Sequence, residues 1–247
     1  HHLFGVADGG EAWSVGAWRR AALPIIADIR ARGASPILVG GTGLYFRSLT
    51  HGLADVPQAP AETRAKAEAA FETLGEIAFR TRLGEVDPAA AARIAPGDRQ
   101  RLVRAWEVYL AAGRSLSDLQ AATIAPLAPG DWRGVVVEPP RDALYARCDA
   151  RLAAMFEAGA VEEVKALMAR GLDPALPVMK ALGLREIAAW QAGEMSQDAA
   201  LAAAQQETRR YAKRQATWFR NQTPDWPRIS ATGPEEQWRQ FLALSAP

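Results

Sequence analysis

The stretch PILVGGTGLYFRSL, residues 36–49, decides how the chain is read. Ile37, Leu38 and Val39 form a short continuous apolar run, the pattern of a strand buried on both faces. Gly40, Gly41 and Gly43 follow directly, and Leu44, Tyr45, Phe46 and Leu49 then recur at helical spacing. A strand feeding a glycine-rich turn and then a helix is suited to hold an anion. Glycine lets the backbone come close to a ligand, and the first N–H groups of a helix are unpaired and point outward. Thr42 sets one hydroxyl in the middle of the turn. A tight βα turn that binds nothing fits the same residues, and three glycines alone do not separate the two readings.

The bounds around this stretch are those of an ordinary globular protein. A length of 247 residues allows one large domain, or one domain carrying a sizeable insertion. Net charge is +1, so no global field draws the chain to nucleic acid, and any basic surface must be local. With four lysines among the 29 basic residues, the other 25 are arginine, a side chain suited to bidentate phosphate contacts. A GC-rich genome that also raises alanine accounts for the same bias. Cys148 is the one cysteine, which excludes disulfides within the chain and cysteine-based zinc sites. No run of 18 apolar residues is present to span a membrane, and no signal peptide precedes His1. The histidines are His1, His2 and His51, and GxSxG does not occur, so no hydrolase set is credible.

Outward from the loop, Ser14 can cap a helix reaching residue 32, with Val15, Trp18, Ala22, Ile25 and Ile29 on one face. Pro24 predicts a kink or break inside it, and Gly33 a stop. Residues 60–123 are helical in pattern throughout, with breaks at Gly75, Gly84, Asp87-Pro88, Pro96-Gly97 and Gly113. Residues 125–134 are a Pro/Gly-rich return linker, and Val135, Val136 and Val137 a second short strand. The expected organisation is 1–58 as core with the glycine loop, 59–126 as an all-helical insertion, 127–230 as core strand and C-terminal helices, and 231–247 as a peripheral tail. Pattern is already lost after Pro224.

Three arginine-bearing segments stand out. In residues 98–104 (DRQRLVR), Leu102, Trp106 and Tyr109 share an inward face, while Arg101 and Arg104 share another that could grip phosphates or stack on a base. A solvated charged face is the plainer reading. Arg141, Arg147 and Arg151 recur across a helix start at the open end of the expected sheet, where one of them, Arg151 by preference, could reach a pyrophosphate. The helix predicted over 196–222 is the most basic segment, with Arg209, Arg210, Lys213, Arg214 and Arg220 and no acid between 209 and 220. Arg210, Arg214, Thr217 and Asn221 fall on one face, and Tyr211, Gln215, Trp218 and Gln222 beside it. Cations interleaved with aromatics suit a structured RNA; a salt-bridged solvent face over a core Trp218 and Phe219 is the alternative.

HHL at the start, the Ser14–Trp18 region, RGASPILVGGTGLY, DRQRLVRAWEVY, KALGLREI and KRQATWFRNQ follow one another in the order of the tRNA dimethylallyltransferase family, which the chain resembles from His1 to about Pro227. GGTGLY is shared in part with adenylate prenyltransferases, whereas QRLVRA and RQATWFRNQ resemble the tRNA-acting branch. The resemblance implies an α/β, P-loop nucleotide-kinase-like parallel-sheet core with an all-helical insertion. It implies transfer of a dimethylallyl group from dimethylallyl diphosphate to the N6 amine of the adenosine 3′ to the anticodon, in a cytoplasmic, monomeric, ATP-binding-type protein.

By the same resemblance Thr42 is catalytic and touches tRNA; Gly40, Gly41, Gly43 and Arg151 take diphosphate. The implied tRNA contacts are Arg64, Gln100, Arg101, Leu102, Val103, Arg104, Gly183, Leu184, Arg185, Arg210, Arg214, Gln215, Trp218, Arg220 and Asn221. Mg²⁺ is implied as cofactor. The family's P-loop and acidic general base are not found: GxxxxGK[ST] fails because none of Lys66, Lys165, Lys180 and Lys213 follows a glycine. On this ground the chain reads as cut at its front end, with the magnesium ligands and base ahead of His1, and is expected to be inactive alone. A free-nucleotide prenyltransferase and a non-catalytic RNA-binding remnant are the alternatives.

Overall fold

The computed structural model describes residues 1–54, 56 and 59–245. The fold is mostly helical, with one small parallel sheet, and the chain forms two units: residues 1–46 with 130–247, and residues 47–129.

The first unit opens with α1 (Val15–Ala31), capped as expected by Ser14, whose hydroxyl accepts from the Ala17 N–H at 3.1 Å. The helix runs unbroken through Pro24, which lies on its exposed side, where water can take the carbonyl left without a donor. Ala22 and Ile26 are its buried residues. Beyond Gly33 the expected strand at 37–39 is not formed. Residues 34–40 have no regular structure, with Ile37 77% and Val39 86% exposed. An apolar run becomes a buried strand only when a partner edge and a covering layer exist, and among the described residues neither is given to it.

Helix α2 (Gly43–Thr50) does follow the glycines, and the division between the two units falls inside it. The second unit contains α3 (Ala61–Gly84), α4 (Pro88–Arg93), α5 (Arg99–Ala112) and α6 (Leu116–Ala121). Its punctuation follows the chemistry of the sequence. Gly75 interrupts α3 with φ of 69°, Asp87 and Asp98 cap α4 and α5, and Gly113 ends α5 in the left-handed region. The core gathers Phe79, Leu83, Leu102, Val103 and Trp106, with Tyr109 packed on its margin. Asp87 is buried, yet both its oxygens are used: Oδ1 accepts from the Ala90 N–H and Oδ2 from the Ser117 N–H, tying α4 to α6. Arg80 closes the far end of α4, donating to the carbonyls of Ala91 (2.7 Å), Ile94 (2.6 Å) and Ala95 (3.1 Å).

Back in the first unit, β1 (Val136–Val137) is the expected second strand reduced to two residues. Its parallel partner is β2 (Arg228–Ile229), in the register Val136 to Arg228 and Val137 to Ile229. Between them lie α7 (Arg141–Glu157), α8 (Ala160–Ala169), α9 (Leu184–Gln191) and α10 (Gln197–Gln222); α11 (Pro234–Ser245) follows β2. Leu152, Phe156, Val164, Leu184, Ile187, Ala200 and Ala204 form the core of this helical layer. The segment after Pro224 is therefore not patternless: it supplies a strand whose Ile229 is buried, and then a helix. No helix among the described residues is long and apolar enough to cross a membrane.

Candidate active site and RNA-facing surface

The glycine loop and the long basic helix α10 are brought together. Thr42 Oγ1 lies 3.1 Å from the Tyr211 hydroxyl, across 169 positions of sequence. Gln215 and Trp218, one and two turns further along α10, pack against the loop itself. A Cβ built on Gly41 would overlap the Gln215 amide, and one on Gly43 would stand under 3.0 Å from three carbons of the Trp218 indole. Gly40 differs, since its nearest neighbour would be Phe46 Cζ at 3.7 Å, an ordinary contact. None of the three glycines has positive φ. Gly41 and Gly43 are thus required for the close seating of α10, where the sequence suggested ligand approach; Gly40 alone has room for a side chain.

The seam is stiffened from below by aromatics. The Trp218 ring meets Phe219 edge-on at 5.0 Å between centroids, and Phe46 contacts both Phe219 (6.3 Å) and Trp226 (6.2 Å). Trp18 packs edge-on against Tyr45 at 4.9 Å. Such pairs are worth about 0.5–1.5 kcal/mol each beyond simple burial, and they pack the loop's helix against α10. Exposed Thr42 sits just before the first turn of α2, with its carbonyl accepting from the Tyr45 N–H at 3.0 Å.

The cations of α10 are individually placed. Arg209 forks onto both oxygens of Asp149 on α7 at 2.7 Å, which makes it a structural tie. Arg210 pairs with Glu207, and Arg220 lies 3.6 Å from Glu138. Arg214 stacks over the Tyr211 ring, 5.6 Å from its centroid. Lys213 and Asn221 are exposed. The basic face is thus offered to solvent beside the glycine loop, with Trp218 turned inward onto the loop.

The other expected site residues lie as follows. Arg151 is exposed on α7 and makes no hydrogen bond or ion pair among the described residues, while Arg147 donates to the Thr232 carbonyl. Arg185 is exposed in the first turn of α9, behind Gly183 at φ of 85°. In the 47–129 unit Arg64 pairs with Glu68 (3.3 Å), Arg101 with Asp98 (2.6 Å) and Arg104 with the buried Glu107 (2.6 Å), and Gln100 is exposed.

Of the other expected contacts, Leu102, Val103 and Leu184 are no more than 6% exposed, and their side chains belong to the packed cores. The hydrogen bond between Tyr211 and Thr42 is one that sequence reasoning misses. Its trace in the sequence is the stripe Tyr211, Gln215, Trp218 at i, i+4, i+7, which shows a shared face without naming what the face meets. Among the described residues no group of three or more His, Cys, Asp or Glu is placed to hold a metal ion.

The profile of the IPP transferase family matches residues 1–222. The tRNA dimethylallyltransferase of Phenylobacterium zucineum (strain HLK1) is 67% identical over 243 residues, 98% of this chain and 78% of that one. The tRNA dimethylallyltransferase of Caulobacter sp. (strain K31) is 57% identical over 242 residues, with the same two coverages. Among solved structures, the full-length tRNA isopentenylpyrophosphate transferase of Bacillus halodurans is similar at 30% identity and a TM-score of 0.63, covering 99% of this chain and 77% of that one. A eukaryotic dimethylallyltransferase acting on tRNA shares the fold at 23% identity, with a TM-score of 0.77 over 97% of this chain and 63% of that one. The matched segment includes both the glycine loop and α10, and the chain belongs to the IPP transferase family.

Proposed function

We propose that this chain transfers a dimethylallyl group from dimethylallyl diphosphate to the exocyclic amine of the adenosine 3′ to the anticodon in tRNA. The observation that carries the reading is the seating of the GGTGLY loop on the basic, aromatic face of α10 through Thr42, Gly41 and Gly43. A small donor with a diphosphate leaving group and a polyanionic RNA acceptor need to meet at one place, and this seam supplies a group for each.

The chemistry divides between the chain's residues. Attack by the adenosine amine on the allylic carbon forms a C–N bond as the C–O bond to diphosphate breaks, and the electron pair leaves on the diphosphate oxygen. The Thr42 hydroxyl and the N–H groups of Gly43 and Leu44, where α2 begins, are donors for that developing charge. The amine then loses one proton to a base, and the loop itself, Gly40 to Gly43, contains no titratable group to take it. To present its amine the adenosine must leave its stack, a step favoured in an anticodon loop where bases are already unpaired. Arg210, Arg214 and Arg220 on α10, with Arg101 and Arg104 on the insertion's own surface, are the phosphate contacts of the reading.

Transfer of a labelled dimethylallyl group tests it, with three acceptors: a tRNA anticodon stem-loop bearing adenosine at the target position, the same stem-loop with another base there, and AMP. The assay is run on the 247-residue chain and on the chain preceded by a P-loop segment of the kind the family resemblance implies. Label on the adenosine-bearing stem-loop alone is the expected result. Label on AMP in its place supports a free-nucleotide prenyltransferase, and no transfer by either version overturns the reading.

A further inference from the structure

We propose that Tyr211 is a positioning residue for Thr42: its phenol donates a hydrogen bond to the threonine oxygen and turns the threonine's own proton outward, toward the departing diphosphate oxygen. The inference rests on the role proposed above for Thr42. The two hydroxyl oxygens are 3.1 Å apart, and geometry alone lets either one donate. Acidity decides the direction. A phenol ionises near pH 10, far below an aliphatic alcohol, and is the stronger donor of the pair.

Arg214 adds to that bias, because a guanidinium over the ring face, here 5.6 Å from its centroid, draws electron density from the phenol. A hydroxyl that accepts one hydrogen bond becomes a better donor in the next, so the chain Tyr211 to Thr42 to diphosphate strengthens along its length. The contact is a built one. Gln215 and Trp218 seat the same face of α10 against Gly41 and Gly43, which fixes Tyr211 relative to the loop on either side of the hydroxyl pair. With Thr42 exposed, its oxygen would otherwise rotate freely among solvent partners, and its proton would point at the leaving group only part of the time.

A double-mutant cycle tests the proposal. Tyr211→Phe removes one oxygen and keeps the ring that Arg214 covers. In the transferring form of the chain, kcat is expected to fall about three- to tenfold, with KM for both substrates within about twofold and an unchanged melting temperature. In a Thr42→Val background, Tyr211→Phe should have no further effect on kcat. Normal kinetics for Thr42→Val alone would overturn the role of Thr42 itself. Slow Thr42→Val with normal or faster Tyr211→Phe overturns the Tyr211 inference only, as does an equal loss in both backgrounds or an effect confined to melting temperature. A readout independent of turnover completes the test. With 3-fluorotyrosine incorporated, the Tyr211 fluorine resonance, assigned by its absence in Tyr211→Phe, should shift in Thr42→Val; an unmoved resonance means the bond is not made.

Discussion

Replacing each loop glycine by alanine in turn should give a graded series set by what each new methyl meets. At Gly43 it would fall under 3.0 Å from three carbons of the Trp218 indole. That ring cannot step aside cheaply, because its flank is packed against Phe219, which in turn contacts Phe46 and Trp226. Overpacking of this kind costs about 1–3 kcal/mol. Against it stands the gain of alanine over glycine in a helix, up to about 1 kcal/mol, reduced at a first-turn position. The net destabilisation is therefore about 1–2 kcal/mol, a fall of roughly 2–8 °C in melting temperature for a chain of this size. At Gly41 the methyl overlaps the end of the Gln215 side chain, which can rotate away, so the loss should be less than about 1 kcal/mol. At Gly40 the methyl finds Phe46 at 3.7 Å, and stability should stay within about 0.5 kcal/mol of the parent. Thermal unfolding followed by circular dichroism measures all three. Equal losses at Gly40 and Gly43, or none at Gly43, would refute the claim that Gly43 is required for the close seating of α10. Gly40→Ala has a second use: a variant stable but weak in diphosphate binding identifies Gly40 as the position where backbone meets ligand.

Other outcomes follow from the same geometry. Arg101→Ala with Arg104→Ala should weaken binding of an anticodon stem-loop and flatten its log–log salt dependence by roughly 0.7–0.9 for each phosphate no longer neutralised; unchanged binding across a salt series leaves only a solvated face. Arg80→Met should destabilise the 47–129 unit by about 2–4 kcal/mol, since three carbonyls at the end of α4 lose a charged donor, and hydrogen exchange in α4 and α5 would show it. The hydrogen bond from Arg170, and after it the Gly10 N–H, holds the Asp8 carboxyl down from its ordinary 3.8 to about 2. Because the folded value is the lower one, the stabilisation is present above pH about 4 and is lost as pH falls through about 2. An NMR titration of Asp8 should give that midpoint, and Asp8→Asn should remove this part of the acid sensitivity.

Much of the architecture was legible because local chemistry dictated it. Ser14, Asp87, Asp98, Ser115 and Ser196 each cap a helix, accepting from a backbone N–H three residues on, and Gly75 and Gly113 take the positive φ that marks their breaks. What was not legible depends on partners distant in sequence. Ile37 to Val39 has the composition of a buried strand, but burial is a property of neighbours, and here the run is exposed. The two residues of β2 are too few to give a period, and only the pairing with β1 defines them. The site shows the same division. The basic face of α10 and the hydroxyl of Thr42 could be read from the residues, whereas the hydrogen bond between Tyr211 and Thr42, the second reason for Gly41 and Gly43, and the carboxylates already paired with Arg101, Arg104 and Arg210 needed the third dimension.

The most direct measurement places the target base. An anticodon stem-loop carrying a photoreactive thio-substituted purine at the position 3′ to the anticodon is bound to the chain, irradiated and digested, and the cross-linked peptide is sequenced. Capture by the loop around Thr42 or by the Tyr211–Gln215–Trp218 face of α10 is the predicted result, because these surfaces form the seam where donor and acceptor can meet. Capture confined to the 47–129 unit, with none at the loop or α10, would contradict the account.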